Sequence, residues 1–398
     1  MTFLPKPGPQ DLPPPRVVHM TSAHEAWDVR IFQKECRSLA RAGYEVIELT
    51  NEAADARRDG VRILGLGTCR SRLHRMTTKM VAMARQAFRL RADVYHFHDP
   101  DLLPLALLLR AFHKCVIYDI HEDLPSTILY KHYIPAWLRV PLMRLTELIE
   151  NAASRAMSGL VAATPAIANR FRRINENTVV VNNFPILAEL APAEKKEWSQ
   201  RSMSVAYIGG IAEGRGIREL LSAMSQLPAI GAKLELAGWY SNPALETELI
   251  HSPAWRHVTW RGLLLRAGIA ELLGSVRAGI VSFHPEPNCV TAQPTKLFEY
   301  MSAGIPVIAS DFPLWRRIVA TAGCGLLVDP CDPSSIAEAI SYLLTHDGEA
   351  EAMGQRGRAA VERQYNWEIE EGNLLGFYAS LLHVTRDHVP ALKPYAGS

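Results

Sequence analysis

Short β-branched runs alternate with amphipathic segments along the whole chain of 398 residues. A run such as Arg16–Met20 has the length and composition of a buried strand, and the segments between runs have the periodicity of helices. This alternation predicts parallel sheets with helices on both faces, the doubly wound α/β class. The runs form two series, with strands predicted at 16–20, 45–50, 61–64, 94–98, 116–120, 159–163 and 178–181, and then at 204–208, 233–237, 257–260, 278–282, 306–309 and 325–328.

Two series of strands predict two domains, since 398 residues exceed the usual size of one compact domain. Residues 16–185 form the predicted first domain and residues 201–364 the second. The stretch 186–200 is rich in Pro, Ala and charged residues and is interpreted as a linker. Residues 365–384 are predicted to form a final helix with an apolar stripe, and the Pro-rich residues 1–15 a disordered N-terminus.

Composition narrows the possible functions. The longest uncharged apolar run, 102–109, is far shorter than the roughly 20 residues of a membrane-spanning helix, and the N-terminus lacks the basic-then-apolar order of a secretory signal. The six cysteines show no Cys-x-x-Cys spacing, so we expect reduced thiols rather than a zinc site or a disulfide framework. We therefore expect a cytoplasmic protein without a nucleic-acid partner.

The net charge of +2 conceals an asymmetry between the two halves. Residues 1–190 carry 25 Lys and Arg against 19 Asp and Glu, a difference of +6, whereas the remainder carries 18 against 22, a difference of −4. The basic excess is concentrated at 70–91, a predicted helix that also contains Leu73, Met76 and Phe88. Such a helix can lie on an anionic membrane surface, but packing of one face on its own domain explains the same pattern.

The stretch 293–310 reads Gln-Pro-Thr-Lys-Leu-Phe-Glu-Tyr-Met-Ser-Ala-Gly-Ile-Pro-Val-Ile-Ala-Ser and predicts a turn, a short helix and a buried strand. Lys296 and Glu299 lie three residues apart, so an ammonium and a carboxylate share one side of the helix's first turn, beside outward-pointing backbone amides. Such a helix end can hold a phosphate and a ribose together. A solvated ion pair between the two side chains is the alternative.

A second motif, Tyr-Ile-Gly-Gly-Ile-Ala-Glu-Gly-Arg-Gly at 207–216, follows the first strand of the second domain and precedes a helix. Its glycines let the backbone approach a ligand closely, and helix-end amides beside Arg215 favour a diphosphate. The spacing does not match the Gly-x-Gly-x-x-Gly pattern of dinucleotide-binding folds. The motif therefore predicts a phosphate-binding turn of another kind.

Polar side chains also follow three predicted strands of the first domain, at the sheet edge where ligands of such sheets bind. They are His24, Asp28 and Arg30 after the first strand, His98 and Asp99 after the fourth, and His121 and Glu122 after the fifth. His96 and His98 share one face of a strand, as metal ligands would. No further ligands can be assigned from the sequence, so we predict no metal site.

These motifs, in this order over residues 16–384, resemble family 4 of the retaining glycosyltransferases with the GT-B fold. The resemblance implies two Rossmann-like doubly wound domains facing a central cleft, with the last helix crossing back to the first domain. It also implies a nucleotide-sugar donor, bound without a metal or a cofactor, with Glu299 on the ribose. The residues that it implies for donor binding are Gly209, Gly210, Arg215, Gly216, Thr291, Gln293, Lys296, Leu297 and Glu299.

The resemblance assigns roles in the first domain as well. In related transferases a histidine after the fifth strand approaches the donor sugar, which makes His121 the first catalytic candidate. The other catalytic candidates are His98 and Glu299. The acceptor side is expected to contain His24, Asp28, Arg30, Asp99 and Glu122.

Two positions depart from the family pattern. Gly210 stands where the family commonly has an arginine that binds the pyrophosphate. Thr291 stands eight positions before Glu299, where the family commonly has a first glutamate. Glu286 and Asn288 are candidates to replace that carboxylate, and a solvated loop is the alternative.

The resemblance thus implies transfer of a sugar, with retention of anomeric configuration, from a UDP-sugar or, second, a GDP-sugar. The expected acceptor is a hydroxyl of a glycan or a lipid-diphosphate-linked glycan, in bacterial surface polysaccharide synthesis. If the basic helix binds lipid, the protein works at the inner face of the cytoplasmic membrane. Two other functions stay open: a catalytically silent nucleotide-sugar-binding protein, which the departures at Thr291 and Gly210 favour, and an epimerase or phosphorylase on the same scaffold.

Overall fold

The computed structural model describes residues 13–51, 54–129, 134–190 and 196–382. These residues fold as two compact units. Unit 1 ends at Asn182 and resumes at Glu370, and unit 2 runs from Asn183 to Ile369. The segment 1–15, predicted to be disordered, lies largely outside the described residues.

A sheet of eight strands forms the centre of unit 1. In chain order the strands are β1 Arg16–Met20, β2 Glu45–Thr50, β3 Ala56–Arg58, β4 Val61–Gly65, β5 Val94–Phe97, β6 Cys115–Ile120, β7 Gly159–Ala162 and β8 Thr178–Val180. Across the sheet they are ordered β3-β4-β2-β1-β5-β6-β7-β8, and each pair except β3 with β4 is parallel. The helical segments are a π-helix at Val29–Cys36, α1 Arg37–Arg41, α2 Arg72–His74, a π-helical turn at Arg75–Lys79, α3 Met80–Leu90, α4 Leu103–Ala111, α5 Leu124–Ile128, α6 Ala136–Ala156 and α7 Pro165–Phe171.

All the strands predicted for the first domain are present, which confirms the α/β class. β3 was not predicted, because it has three residues and two of them, Arg57 and Arg58, are exposed. Such a strand has neither the length nor the apolar alternation by which strands are recognised in a sequence. It pairs antiparallel with β4 at the edge of the sheet.

Unit 2 is built on a sheet of six parallel strands. They are β9 Ser204–Ile211, β10 Lys233–Tyr240, β11 Val258–Gly262, β12 Ala278–Val281, β13 Val307–Ser310 and β14 Gly325–Val328. The order across the sheet is β11-β10-β9-β12-β13-β14, so the order reverses between β9 and β12, where ligands of doubly wound sheets bind at the carboxyl ends of the strands. The helices are α8 Ile217–Ser225, α9 Pro243–His251, α10 Arg266–Ser275, α11 Pro287–Val290, α12 Thr295–Ser302, α13 Pro313–Ala322, α14 Pro333–Thr345, α15 Asp347–Gln364 and α16 Trp367–Leu382, of which α16 continues into unit 1.

The stretch 186–200, interpreted from the sequence as a linker, lies within unit 2. Leu190 and Trp198 are buried there, at 0% and 8% exposure, because these large apolar side chains pack into the core. From Glu370 onwards, α16 packs on unit 1. Its Tyr378 is fully buried, and the Tyr378 hydroxyl lies 2.8 Å from His96 Nδ1.

The basic segment 70–91 is helical through α2, the π-helical turn and α3. One face packs on unit 1, since Met83 and Ala87 are buried, whereas Leu73 and Met76 are exposed. Core packing therefore explains part of the apolar pattern, and the described residues leave the rest of it exposed. Among the residues that the structure describes, no helix combines the length and apolarity needed to cross a membrane.

Candidate functional site

Two glycines in the turn of unit 2 have a backbone conformation that other residues rarely adopt. Gly216 has a φ of +66°, and a Cβ atom there would lie 2.1 Å from the carbonyl oxygen of Ser282. Gly209 has a φ of +107°, and a Cβ atom on it would lie 3.6 Å from Lys296 Nζ. The turn thus brings bare backbone next to the lysine of the second motif.

Lys296 places its amino group in the interior of unit 2. Its Nζ is buried and makes no hydrogen bond among the described residues, and it lies 3.9 Å from the centroid of the Tyr207 ring, a cation–π contact. Burial, followed by the charge of Arg215, lowers the pKa of Lys296 to about 7. The Arg215 guanidinium stacks 4.0 Å from the centroid of the Phe283 ring. Two basic side chains therefore converge on the glycine turn, an arrangement suited to an anion.

Glu299 lies one helical turn beyond Lys296 and is 7% exposed. Its Oε1 accepts a hydrogen bond of 2.6 Å from Arg266 Nη1, and Arg266 Nε donates to Glu189 Oε2 at 3.1 Å. The carboxylate is therefore held by an arginine at the start of α10 and not by Lys296, which answers the alternative of a simple pair between Lys296 and Glu299. Nothing in the sequence pattern pointed to Arg266.

The other residues assigned to the donor differ in what they offer a ligand. Leu297 is fully buried in the core of unit 2, so only its backbone can face the site. Thr291 is exposed and donates to the Pro287 carbonyl at 3.2 Å. Gln293 is half-buried, and its Oε1 is buried without a hydrogen-bond partner among the described residues. Gln293 therefore has an unused polar atom.

Glu286, a candidate for the missing first glutamate, lies against the glycine turn. A Cβ atom on Gly214 would be 2.7 Å from Glu286 Oε1. Asn288, the second candidate, is half-buried in α11. A carboxylate is thus present beside the turn, although it comes from a different position in the chain.

In unit 1, Asp119 at the end of β6 is the centre of a buried hydrogen-bond network. Its Oδ2 accepts from His121 Nε2 at 2.6 Å and lies 3.0 Å from His98 Nδ1. Arg30 binds both oxygens, through Nε at 2.9 Å and Nη2 at 2.7 Å. Burial alone would raise the pKa of Asp119, but the Arg30 guanidinium and the two imidazoles hold it well below its usual range. Asp119 was missed in the sequence, where the only signal is a charged residue inside an apolar strand.

Asp99 forms a similar pair with His24. The His24 Nδ1 lies 3.1 Å from Asp99 Oδ1, while Asp99 Oδ2 accepts from Thr21 Oγ1 and from the Ser22 amide, both at 2.7 Å. This hydrogen bond with Asp99 raises the pKa of His24. The His24 and His121 rings lie 5.2 Å apart and both are partly exposed. Two imidazoles, each on a buried carboxylate, therefore stand side by side at the carboxyl edge of the sheet.

Three residues expected to contact sugar or acceptor make contacts within the protein. Asp28 caps the helix that follows it, since its Oδ1 accepts from the amides of Arg30 at 2.8 Å and Ile31 at 3.0 Å. Arg30 is 3% exposed, because it is drawn inward to Asp119 and to the Val181 carbonyl. His98 is 2% exposed. Arg30 and His98 both bind the Asp119 carboxylate that holds His121, whereas Glu122 is exposed.

The buried side chains under this edge could hold a metal ion. Two groups place their ligand atoms within 4.8 Å of one another: His19, Glu35, His96 and His98, and His98 with Asp119 and His121. In this structure the histidines bind one another and the protein, with His19 Nδ1 2.9 Å from His98 Nε2. That no metal is required stays a prediction.

Two family models match the chain, one in each unit. Residues 29–183 match the glycosyl transferase 4-like domain, and residues 202–346 match glycosyl transferases group 1. A phosphatidyl-myo-inositol mannosyltransferase of Mycobacterium tuberculosis is 23% identical over 306 residues, 73% of this chain and 74% of that protein. The protein of that name from Mycobacterium leprae is 34% identical over 85 residues, so this match spans only 21% of the chain and 22% of the relative.

Solved structures show the same fold. Sucrose-phosphate synthase from Thermosynechococcus elongatus has a TM-score of 0.75 at 20% identity, covering 93% of this chain and all of that one. Anabaena HepE in complex with UDP-glucose has a TM-score of 0.69 at 14% identity, covering 92% of this chain and 99% of that one. Each unit is matched by a different glycosyltransferase family model, and with both units matched the chain belongs to the glycosyltransferases of the family 4 type with the GT-B fold.

Proposed function

We propose that the protein transfers a sugar, with retention of anomeric configuration, from a nucleotide sugar to a hydroxyl of a glycan or lipid-linked acceptor. One observation carries the proposal: the buried Nζ of Lys296, without a hydrogen-bond partner among the described residues, lies beside Arg215 on a turn of glycine backbone. Burying an amino group without a partner is unfavourable, and a ligand that supplies negative charge removes that cost. The pyrophosphate of a nucleotide sugar is such a ligand.

The same side chains would act on the reaction. When the bond between sugar and phosphate breaks, negative charge grows on the departing nucleoside diphosphate. Lys296, Arg215 and the amides of the glycine turn would stabilise that charge. Glu299, oriented by Arg266, would accept hydrogen bonds from the ribose hydroxyls. With side-chain cations on the diphosphate, we propose a reaction that needs neither a metal nor a cofactor.

In unit 1 we assign the contacts with sugar and acceptor to His121 and His24. Because His121 Nε2 bonds the Asp119 carboxylate, the neutral ring presents Nδ1 as an acceptor to a hydroxyl. Retention then follows if the acceptor oxygen attacks on the face that the phosphate leaves, and the acceptor proton passes to a phosphate oxygen. No side-chain base is needed in that reaction.

For the donor we propose a UDP-sugar first and a GDP-sugar second, in a hexose transfer. The structural neighbour solved with UDP-glucose supports uridine. The relatives named as phosphatidyl-myo-inositol mannosyltransferases support a lipid acceptor. We propose a lipid-diphosphate-linked glycan of bacterial surface polysaccharide synthesis.

The basic helix of unit 1 supports the lipid acceptor and a place at the inner face of the cytoplasmic membrane. Leu73, Met76 and Val81 are 72%, 55% and 51% exposed, and Arg85 and Arg89 on the same helical stretch are exposed as well. Exposed apolar groups beside arginines favour an anionic lipid surface. Binding to vesicles of anionic lipid, and its loss in Leu73→Ser/Met76→Ser, would test this placement.

The silent nucleotide-sugar-binding protein is the second candidate, and Thr291 in place of a glutamate favours it. Such a protein would bind the donor and would not release nucleoside diphosphate. An epimerase on the same scaffold would convert the nucleotide sugar without any acceptor. Product analysis distinguishes these two candidates from a transferase.

A melting-temperature screen with UDP, GDP, ADP and dTDP tests the donor site. A ligand at about a hundred times its Kd stabilises the fold by about 2.7 kcal/mol. We expect Lys296→Met and Glu299→Ala to abolish the shift. Lys233→Met is the control, because Lys233 begins β10 at the opposite edge of the sheet, where its Nζ donates to the Arg256 carbonyl at 3.0 Å. No shift with any of the four nucleotides would contradict the proposed donor site.

A further inference from the structure

An exposed tryptophan lies beside the proposed donor site. Trp239 lies near the carboxyl end of β10 and is 60% exposed. In the parallel ladder it pairs with Gly210, and its neighbour Gly238 pairs with Gly209. The position at the sheet edge where ligands bind makes this indole a candidate for contact with a ligand.

The indole lies on the face of the sheet that carries the donor motif. Ala237, two residues earlier on the same strand, is buried in one cluster with Leu273 of α10 and Leu297 of α12. Because side chains alternate along a strand, Trp239 projects to the same side as α10 and α12. A Cβ atom on Gly210 would lie 3.4 Å from the indole, so the ring crosses over that glycine.

The two anchors of the proposed donor set the direction in which a nucleotide runs. The phosphate anchor, Lys296, lies at Gly209 on β9. The ribose anchor, Glu299, is tied to Arg266, and Arg266 begins the helix after β11. Since β10 lies between β9 and β11, a nucleotide held at both anchors extends its base towards the ends of β10 and β11.

The end of β11 continues the apolar surface. Leu263 and Leu265, just after that strand, are 74% and 86% exposed. The exposed indole offers an aromatic face on which a nucleobase can stack, and the two exposed leucines add apolar surface at the neighbouring strand end. Resting on the proposed function, we propose that Trp239 stacks on the nucleobase of the donor and that this platform holds the nucleoside in place.

The platform also accounts for Gly210 in place of the arginine of the family pattern. A longer side chain at 210 would have to share the space over which the indole lies, since its Cβ would already contact the ring. The chain therefore has a stacking surface at the position where the family pattern commonly has an arginine.

Calorimetric titration of the full chain with UDP, GDP and inorganic pyrophosphate tests the platform. Stacking on an aromatic side chain predicts that Trp239→Ala weakens the tighter of UDP and GDP by roughly 5- to 100-fold. The affinity for pyrophosphate should stay the same, because pyrophosphate has no base. Trp239→Phe should keep most of the affinity, and Trp137→Ala, which removes a 78% exposed tryptophan of unit 1, should keep all of it.

Each other result has a definite meaning. Unchanged nucleotide affinity in Trp239→Ala overturns the platform, and so does an equal loss for pyrophosphate, which would indicate damage to the phosphate site. A loss confined to UDP-glucose, with UDP unaffected, would place the indole on the sugar and also overturn it. If the wild-type protein binds neither nucleotide nor pyrophosphate, the proposed function has failed, and the platform with it.

Discussion

His121 donates to the carboxylate of Asp119 at 2.6 Å, and Arg30 donates two further hydrogen bonds to the same carboxylate. Asp119 is fully buried and Arg30 nearly so, whereas the His121 side chain is 21% exposed. A partly exposed imidazole is therefore fixed to an interior ion pair. The arrangement sets both the orientation of the ring and the nitrogen that faces outwards.

Asp119→Asn should remove the charged partner that orients the His121 imidazole. The amide keeps the shape of the carboxylate but loses the charge that both His121 and Arg30 require. If His121 positions the sugar or acceptor, kcat should fall by about 100-fold with little change in the KM for the donor. Steady-state kinetics with a saturating acceptor measures both quantities.

The unfolding free energy of Asp119→Asn should fall too, by about 3–5 kcal/mol, because the buried Arg30 loses its partner. Asp123→Asn is the matched control, since Asp123 is 41% exposed and pairs with Arg170 at the surface. A folded Asp119→Asn protein with normal kcat would show that His121 needs no support, or has no part in the reaction.

Nucleotide binding should depend on pH through Lys296. Its pKa is lowered to about 7 by burial and by Arg215, so above pH 7 the free protein holds a neutral amine, and a bound diphosphate favours the ammonium. Binding then takes up a proton, and affinity should fall by up to about tenfold per pH unit as the pH rises above 7. Calorimetry at pH 8 in two buffers of different ionisation enthalpy reports the proton uptake.

Lys296→Arg serves as the comparison, because an arginine stays charged at every pH in this range. Its nucleotide affinity should be nearly independent of pH between 7 and 9. A wild-type affinity equally flat over that range would contradict the assignment of Lys296 to the diphosphate.

The sequence predicts local features better than contacts between distant residues. Lys296 and Gly209 could be assigned to a helix start and a glycine turn, because such features are specified by neighbouring residues. Asp119 and Arg266 were not, since their partners lie 89 and 33 positions away, at Arg30 and Glu299. A sequence shows that a charged residue occurs in an apolar strand but not which distant side chain neutralises it.

The same limit applies to the contacts of Arg30, which was predicted to lie on the acceptor side. As a polar residue after a strand it has the pattern of a surface loop residue. Only the fold shows that the sheet brings Asp119 within reach and turns the guanidinium inward. Trp239 was not singled out either, because its exposure depends on where β10 ends.

Unit 1 should lose stability as the pH falls below about 6.5, the ordinary histidine pKa. Burial lowers the pKa values of His19, His96 and His98. In this pH range these histidines bind protons in the unfolded chain and stay neutral in the folded chain. Each histidine therefore decreases the unfolding free energy by up to about 1.4 kcal/mol per pH unit below 6.5 and has no such effect above it.

Urea denaturation at pH 7.5, 6.5 and 5.5, with hydrogen exchange at β5 as the probe for unit 1, measures this dependence. His96→Gln should reduce the slope below pH 6.5, and His251→Gln, at an exposed position of unit 2, should leave it unchanged. Stability that is constant down to pH 5.5 would indicate that these histidines are not held neutral.

Two glycines of unit 2 allow the cost of a steric contact in the donor turn to be measured apart from the cost of a left-handed φ. Gly216 and Gly231 have nearly the same left-handed φ, +66° and +65°. A Cβ atom on Gly216 would lie 2.1 Å from the Ser282 carbonyl oxygen, whereas one on Gly231 would meet nothing within 4 Å. Gly231→Ala should lower the unfolding free energy by about 1–2 kcal/mol from its φ alone. Gly216→Ala should lower it by about 1–3 kcal/mol more, because the turn must move away from Ser282.

Urea denaturation of unit 2, followed by tryptophan fluorescence, measures both losses of stability. Nucleotide binding should weaken only in Gly216→Ala, since Gly231 lies in a turn at the opposite end of β10. Equal losses of stability in the two variants would show that the contact with Ser282 does not constrain the turn.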